Sequence, residues 1–190
     1  MTENPPDSNN VIYNTHYYGR EVSGPDYPWC VTFLWDVFRM AGQSNAFCGG
    51  QKTASCTFLK NYYAGLNRWL TVTPPSIGDI VIMSFHSNHS VDHCGLLIDI
   101  LPDNNGTTKF ITIEGNTSPG EEGSQDNGGC VALKIRDSSS ILGFCHIIYS
   151  NQSDSVTEIP IMSGGPVNSL TSDYITNNSS ILFKTKTVTQ

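Results

Sequence analysis

The spacing of apolar residues along the chain changes once, near residue 75, from a pattern typical of helices to one typical of strands. This change limits the folds that the chain can adopt. Apolar residues recur at helical spacing from Cys30 to Ala41, and a second, shorter helix is indicated over residues 55–64. After the turn sequence PPSIGD, short segments rich in β-branched or aromatic residues predict strands. The predicted strands cover residues 80–85, 93–101, 109–114, 130–136 and 143–148. Helices followed by a run of strands favour an α+β fold with N-terminal helices on an antiparallel sheet.

The length of 190 residues allows one domain with a well-formed core and a tail. Residues 1–15 are polar and rich in turn formers, which predicts a flexible N-terminal segment ahead of a domain over residues 16–150. Beyond Ser150 the composition shifts towards Ser, Thr and Asn. We interpret residues 151–190 as a linker or tail, or as the start of a further module.

The charge of the chain argues against a polyanion as its partner. Ten basic residues against 17 acidic ones give a net charge of −7, and no run of Lys and Arg is present to bind a phosphate backbone. No apolar stretch of 18 residues predicts a membrane span, and the N-terminus lacks the basic and apolar regions of a signal peptide. We therefore expect a chain that binds neither nucleic acid nor membrane and stays in the cytoplasm unless another component releases it. We also expect a monomer.

The six cysteines form an even set that could make three disulfides, but their spacing suggests no tight framework. Because no secretion signal is evident, free thiols are expected. Cys48 and Cys56 flank a glycine-rich loop and could pair, and the sequence leaves their state open.

Cys30 differs from the other cysteines in lying at the predicted start of a helix. Unpaired N–H groups and the helix dipole favour an anion there, and a neighbouring His can lower a thiol pKa from about 8.5 to roughly 3.5–7.5. The thiolate is the reactive form. The alternative is a buried structural cysteine, as most free cysteines are.

A base for this thiol is suggested by two consecutive predicted strands. They are separated by the turn-rich sequence PDNNGTT, which is compatible with a hairpin. If the turn centres between Asn104 and Asn105, His93 lies opposite Asn116, and a shift of one or two positions places it opposite Glu114. Because cross-strand neighbours lie about 5 Å apart, His93 and the segment 114–116 meet at one end of the sheet. A thiol packed on that end would complete a nucleophile, a base and a group that orients the base.

Four segments in this order and spacing carry a family resemblance. Residues 17–24 read YYGREVSG, residues 27–35 read YPWCVTFLW, residues 92–97 read DHCGLL and residues 113–117 read IEGNT. They resemble the motifs of CHAP domains, the cysteine, histidine-dependent amidohydrolases and peptidases of phage lysins and of Firmicute peptidoglycan hydrolases. The resemblance covers roughly residues 12–149.

The resemblance implies a papain-like α+β fold and cleavage of an amide bond in bacterial peptidoglycan. The bond could be the N-acetylmuramoyl-L-alanine amide or a peptide cross-bridge. By position, Cys30 would be the nucleophile, His93 the general base and then acid, and Glu114 the group that orients the imidazole, with Asn116 supporting that network. Attack would give a thioester acyl-enzyme that water then hydrolyses.

Two residues before or beside the nucleophile are candidates for the oxyanion or substrate site. The backbone N–H of Cys30 could donate to the oxyanion, and Tyr27 could add its hydroxyl. Trp29 stands where many family members carry Gln, and an aromatic side chain there could shape the substrate groove.

No metal and no cofactor are expected. Residues 21–26 offer too few regularly spaced oxygen ligands for the calcium loop of some family members. The histidines at positions 86, 89 and 93 fit neither an HExxH helix nor a zinc-finger spacing. Cys94 alternates with His93 on the predicted strand and is expected in the core.

Two other functions remain open. The chain could be a non-catalytic wall-binding or virion structural module of the same fold, or an amidase acting on a small glutathione-type amide. As a wall hydrolase without a signal peptide, it would reach the cell wall through a membrane pore made by another protein, or as part of a virion or a larger exported chain.

Overall fold

The computed structural model describes residues 1–72, 74–102 and 108–150. It has a mixed α+β architecture, in which three helices accompany one antiparallel sheet of six strands. The predicted turn at Asn104 and Asn105 and the predicted tail at 151–190 lie outside the described residues. In the described ranges, none of the helices has the length and apolar character needed to cross a membrane.

The three helices are α1 (Ile12–Tyr18), α2 (Cys30–Met40) and α3 (Cys56–Gly65). The predicted helix from Cys30 is confirmed and ends one residue earlier than expected, before Ala41 and Gly42. Helix α3 begins where Ser55 accepts a hydrogen bond from the Phe58 N–H at 3.2 Å, which is ordinary N-terminal capping. Helix α1 was not predicted from the sequence. Short 3₁₀ turns cover Ser44–Ala46, Cys48–Gly50 and Ser138–Ser140.

The sheet contains the five predicted strands and one further short strand. In chain order the strands are β1 (Trp69–Leu70), β2 (Ile80–Met83), β3 (His93–Pro102), β4 (Thr108–Thr117), β5 (Cys130–Asp137) and β6 (Ile141–Cys145). Their order across the sheet is β1-β6-β2-β3-β4-β5, and the neighbours are antiparallel. The two-residue strand β1 is too short to give a sequence pattern.

Each face of the sheet has its own apolar cluster. The larger cluster joins α2 and α3 to one face and includes Val31, Leu34, Leu59, Ile82 and Cys94. The smaller cluster lies on the other face and consists of Val81, Met83, Leu97, Phe110 and Phe144. The alternation along β2 and β3 thus places successive residues on opposite faces, as a pleated strand requires.

Helix α2 lies directly on strand β4 because Gly115 has no side chain. A Cβ atom at this position would lie 2.6 Å from Cβ of Phe33 and 2.9 Å from the Trp29 ring. Both neighbours belong to the first turn of α2 or its N-cap, so any residue larger than glycine would push away the end of the helix that carries Cys30.

The N-terminal segment makes defined contacts with the domain. Thr2 forms a β-bridge with Cys130, and the Glu3 N–H donates to the Gly129 carbonyl at 3.0 Å. The side chain of Glu3 is buried and accepts a hydrogen bond from Trp29 Nε1 at 2.8 Å. The segment expected to be flexible therefore packs against both β5 and the N-cap of α2, and the expected boundary at residue 15 falls inside α1.

Replacing Gly115 with Ala should lower the free energy of unfolding by about 1–3 kcal/mol, the usual range for overpacking. The reason is the close approach of Phe33 and Trp29 to this position. Urea unfolding measures the effect. Gly120→Ala is the matched control, since its Cβ would meet nothing closer than 3.9 Å. Equal stability of the two variants would contradict the tight packing of α2 on β4.

Candidate active site

Cys30 is the first residue of α2, and His93 is the first residue of β3. The thiol and the imidazole are both buried, with 5% of Cys30 and none of His93 exposed. They lie close enough for the anionic form of the thiol to raise the pKa of His93. The structure therefore brings together the predicted nucleophile and base at the start of the helix.

The orientation of the imidazole follows from its partner. Nε2 of His93 lies 3.0 Å from Oε2 of Glu114, and both side chains are fully buried. An ionised carboxylate only accepts hydrogen bonds, so Nε2 must carry a proton. The other ring nitrogen, Nδ1, is buried and has no hydrogen-bond partner among the described residues. Nδ1 is consequently the atom available to exchange a proton with Cys30 or with a substrate.

The register of β3 and β4 explains how Glu114 reaches His93. Leu96 pairs with Ile113 and Leu97 with Thr112, which is the hairpin register expected at this end of the sheet. This register sets Glu114 opposite Gly95, two residues along the strand from His93. A Cβ atom on Gly95 would lie 2.7 Å from Cγ of Glu114. The carboxylate crosses to His93 over the space that Gly95 leaves empty.

Arg136 on β5 holds Glu114 from the other side. Its Nε donates to Oε1 of Glu114 at 2.8 Å and its Nη2 donates to Oε2 at 2.5 Å. Thr112 donates its hydroxyl to Oε1 at 2.5 Å. The Phe85 ring covers this group, with the guanidinium carbon 4.7 Å and the His93 ring 5.9 Å from its centre. A bidentate, buried pair of this kind fixes the carboxylate firmly, and removing one partner costs about 3–5 kcal/mol.

The charges of this group shift the pKa values of its members in opposite directions. Burial alone would raise the pKa of Glu114, yet hydrogen bonds from Arg136 and His93 lower it to about 2. Burial alone would lower the pKa of His93, yet Cys30 and Glu114 raise it to about 9. At neutral pH the carboxylate is therefore ionised and the imidazole is protonated.

Two further cysteines lie close to Cys30. The Sγ atoms of Cys30 and Cys56 are 3.7 Å apart, and the sulfurs of Cys30, Cys56 and Cys94 all lie within 4.8 Å of one another. Hydrogen bonds from Cys56 and Cys94, and the charge of His93, hold the pKa of the Cys30 thiol well below its ordinary value against the opposing effect of burial. The pKa values of Cys56 and Cys94 are raised. Cys30 is thus the thiol of the three that ionises first.

The six cysteines are free and buried, so Cys48 and Cys56 do not pair. Cys94 lies in the larger core cluster, as expected, but it also contributes its sulfur to the group around Cys30.

Asn116 does not join the His93 network, which corrects the sequence-based expectation. A register shift between Glu114 and Thr117 on β4 disturbs the ladder at this residue, whose φ is 61°. Its side-chain amide turns to the 126–127 loop and donates to the Asp126 carbonyl at 3.3 Å and to Oδ1 of Asn127 at 3.2 Å. The support expected from Asn116 comes from Arg136 and Thr112 instead.

Trp29 is also placed differently from the expected groove residue. It is fully buried, stacks on Tyr13 with ring centres 5.8 Å apart and donates to Glu3. A side chain with no exposed surface offers nothing to a substrate, so Trp29 serves packing. A tryptophan is commonly buried in a core when its indole N–H has a hydrogen-bond partner, as Trp29 has in Glu3.

Tyr27 is half-buried and stands three residues before Cys30 in the sequence. It lines an open cleft of about 220 Å³ together with Arg20, Glu21 and Ser23. Its ring packs edge-on against Tyr18 at 5.1 Å, and its carbonyl accepts a hydrogen bond from the Asn14 side chain at 2.9 Å. In the described part of the chain its hydroxyl donates to no protein group, so it remains available to a substrate.

Sequence reasoning missed Arg136 and Cys56 as members of the site. Arg136 reaches Glu114 only through the pairing of β4 with β5, which a 12-residue connection separates. Cys56 comes from the start of α3, whose docking position no local pattern reveals. A signal for Arg136 does exist, since a buried carboxylate at position 114 needs a cation and few cations are available.

Comparison of the chain with protein-family models, with curated proteins and with solved structures gives no match.

The lowered pKa of Glu114 predicts how stability depends on pH. Because its pKa is about 2 in the folded chain and 4.5 ordinarily, its contribution is present above pH 4.5 and is lost as the pH falls towards 2. Relative to Glu114→Gln, the wild type should lose roughly 3 kcal/mol over this range, at about 1.4 kcal/mol per pKa unit. Urea unfolding at a series of pH values measures the difference. Exposed Glu121→Gln is the control, and a wild-type advantage that does not change with pH would contradict the ion pair.

Replacing Cys94 with Ala should raise the pKa of the Cys30 thiol, because one hydrogen-bond donor to the thiolate is lost. The pH dependence of thiolate absorbance, or of alkylation at Cys30 followed by mass spectrometry, measures the change. Cys145→Ala removes a buried thiol outside the cluster and should leave the Cys30 titration unchanged. If the two variants titrate alike, the neighbouring thiol does not tune Cys30.

Proposed function

We propose that the chain is a cysteine-dependent amidohydrolase of the CHAP type that cleaves an amide bond in bacterial peptidoglycan. The observation that carries this proposal is the orientation of His93. Its Nε2 is fixed on Glu114, and its unpartnered Nδ1 is left for the thiol at the start of α2. A nucleophile, a base and a group orienting the base are the minimum set for acyl transfer through a thiol.

The proposed reaction begins from the Cys30 thiolate and the protonated His93. Sγ attacks the carbonyl carbon of the amide, and the negative charge moves to the carbonyl oxygen. Cys30 is the first residue of α2, so its backbone N–H has no intrahelical acceptor and can donate to that oxygen. Collapse of the intermediate breaks the C–N bond, and Nδ1 of His93 gives its proton to the leaving amine.

The acyl-enzyme is a thioester on Cys30, and its hydrolysis reverses the proton transfers. Nδ1 of His93, now neutral, takes a proton from water as the water attacks the thioester carbonyl. The C–S bond breaks, the acid product leaves and the thiolate is restored beside the imidazolium. Glu114 stays ionised throughout, because Arg136 and Thr112 keep three hydrogen bonds on its oxygens.

The finer features of the fold and substrate belong to the same proposal. A helix that carries the nucleophile and an antiparallel sheet that carries the base are the arrangement that a papain-like fold implies. The cleft that Tyr27, Arg20 and Glu21 line offers polar and charged groups that could bind part of a wall peptide away from the scissile bond, since neither Cys30 nor His93 lines it. The bond would be the muramoyl–L-alanine amide or a peptide cross-bridge, and the enzyme would act on the wall after release through a pore or as part of a virion or larger exported chain.

One observation favours a second candidate, an amidase for a small glutathione-type amide. Only 5% of Cys30 and 8% of Cys56 are exposed, so little of the nucleophile is open to a polymer. A small amide needs less space around the thiol than a glycan–peptide strand does.

The test is hydrolysis of purified peptidoglycan, read as loss of turbidity and release of amino groups. The wild type and the control Cys145→Ala should be active, and Cys30→Ala and His93→Gln should fall by at least about 10³-fold, since loss of either member removes the acyl-transfer step. Mass spectrometry of the fragments would identify the bond.

Full activity of Cys30→Ala would contradict the proposal. A wild type that leaves several wall types intact but hydrolyses small γ-glutamyl amides, through Cys30, would favour the second candidate.

A further inference from the structure

The distances between the three sulfurs of Cys30, Cys56 and Cys94 can be compared with those in a disulfide and with those around a bound metal ion. A disulfide requires sulfurs about 2.05 Å apart, whereas three ligands on one ion at about 2.3 Å from it lie about 3.8–4.0 Å from one another. The sulfurs of Cys30 and Cys56 are 3.7 Å apart, and the three sulfurs lie within 4.8 Å. In the described ranges this is the one group of three or more Cys, His, Asp or Glu side chains close enough to share a metal ion.

The three cysteines are brought together by three different elements. Cys30 begins α2, Cys56 begins α3 and Cys94 is the second residue of β3. Two helix starts and a strand thus converge on one point, with all three side chains buried. Unlike surface thiols, these sulfurs are held near one another by the packing of the larger apolar cluster, to which all three cysteines belong.

A polar atom without a partner borders the same group. Nδ1 of His93 is buried, makes no hydrogen bond among the described residues and lies on the side of the ring away from Glu114. The group therefore offers three sulfur ligands, with a buried imidazole nitrogen beside them that could complete the coordination.

We propose that Cys30, Cys56 and Cys94 form a three-thiolate site for a thiophilic metal ion of the Zn²⁺ class. Soft thiolate ligands select Zn²⁺ and Cu⁺ over Mg²⁺ and Ca²⁺, and a Cys₃ set with an imidazole is an ordinary zinc environment. This differs from the sequence-based expectation of no metal, because the three cysteines are far apart in the sequence and meet only in the folded chain.

Metal binding replaces thiol protons with the ion. Deprotonated Cys30, Cys56 and Cys94 together with Zn²⁺ carry one net negative charge, and the protons displaced from the thiols go to solvent. No oxidant or reductant takes part, and removing the ion restores the same thiols.

The ion would bind the Cys30 sulfur that the proposed hydrolysis uses as its nucleophile, so metal binding would inhibit the enzyme reversibly. This consequence rests on the proposed function, whereas the metal site itself does not. A cell-wall hydrolase that is held inactive by a metal ion until the ion is lost would be protected from acting where it is made.

The experiment titrates the reduced, chelator-treated full chain with Co²⁺ without oxygen and records the thiolate-to-cobalt charge-transfer absorption. Wild type, Cys48→Ala and Cys145→Ala should bind one equivalent, which Zn²⁺ then displaces. Cys56→Ala and Cys94→Ala should bind at least about tenfold more weakly, since loss of even an outer partner of a metal site weakens binding roughly 10–100-fold. If circular dichroism shows that Cys94→Ala does not fold, Cys94→Ser is used in its place.

X-ray absorption of the Zn²⁺-loaded wild type tests the site without any variant, and three sulfur neighbours at about 2.3 Å are expected. No charge-transfer band, an equal band in Cys94→Ser, or a zinc shell of oxygen and nitrogen alone would overturn the proposal. Hydrolysis measured in the same samples separates the two claims. Cobalt binding in a chain that never hydrolyses any amide would remove the proposed function and leave the metal site standing.

Discussion

The buried ion pair between Glu114 and Arg136 is the interaction on which the rest of the site depends. Without the guanidinium, a carboxylate in the core would take up a proton rather than stay ionised. A neutral Glu114 would neither fix the imidazole tautomer nor favour the imidazolium. The protonated His93 in turn supports the Cys30 thiolate. The charge state of His93 on β3 thus depends on Arg136, which lies two strands away on β5.

The surroundings of Cys30 are rich in sulfur as well as in charge. Cys56 and Cys94 lower the pKa of the Cys30 thiol by donating hydrogen bonds, and their sulfurs lie at distances that suit a shared metal ion. The same arrangement serves both proposals, because donors that stabilise a thiolate become ligands once they lose their own protons. Hydrolysis and metal binding would therefore exclude each other at one sulfur atom.

Much of the fold could be predicted from the sequence, because local periodicity determines the helix from Cys30 and the five main strands. The register inferred for β3 and β4 also brought His93 to the segment 114–116, since a short connecting sequence leaves few alternative pairings. Contacts between distant elements could not be predicted. The register shift that turns Asn116 away, the diagonal reach of Arg136 and the arrival of Cys56 all depend on tertiary packing. The burial of Trp29 could not be predicted for the same reason, because it follows from contacts with the N-terminal segment and with Gly115.

His93 is a protonated imidazole at neutral pH, with Nε2 on Glu114 and Nδ1 towards Cys30. Nitrogen-15 NMR of the imidazole, recorded as a pH titration of the full chain, tests it most directly. Both nitrogens of His93 should carry protons at neutral pH, and Nδ1 should lose its proton at a pKa of about 9 while Nε2 keeps its own. A His93 that is neutral at pH 7, or one that loses the Nε2 proton first, would contradict it.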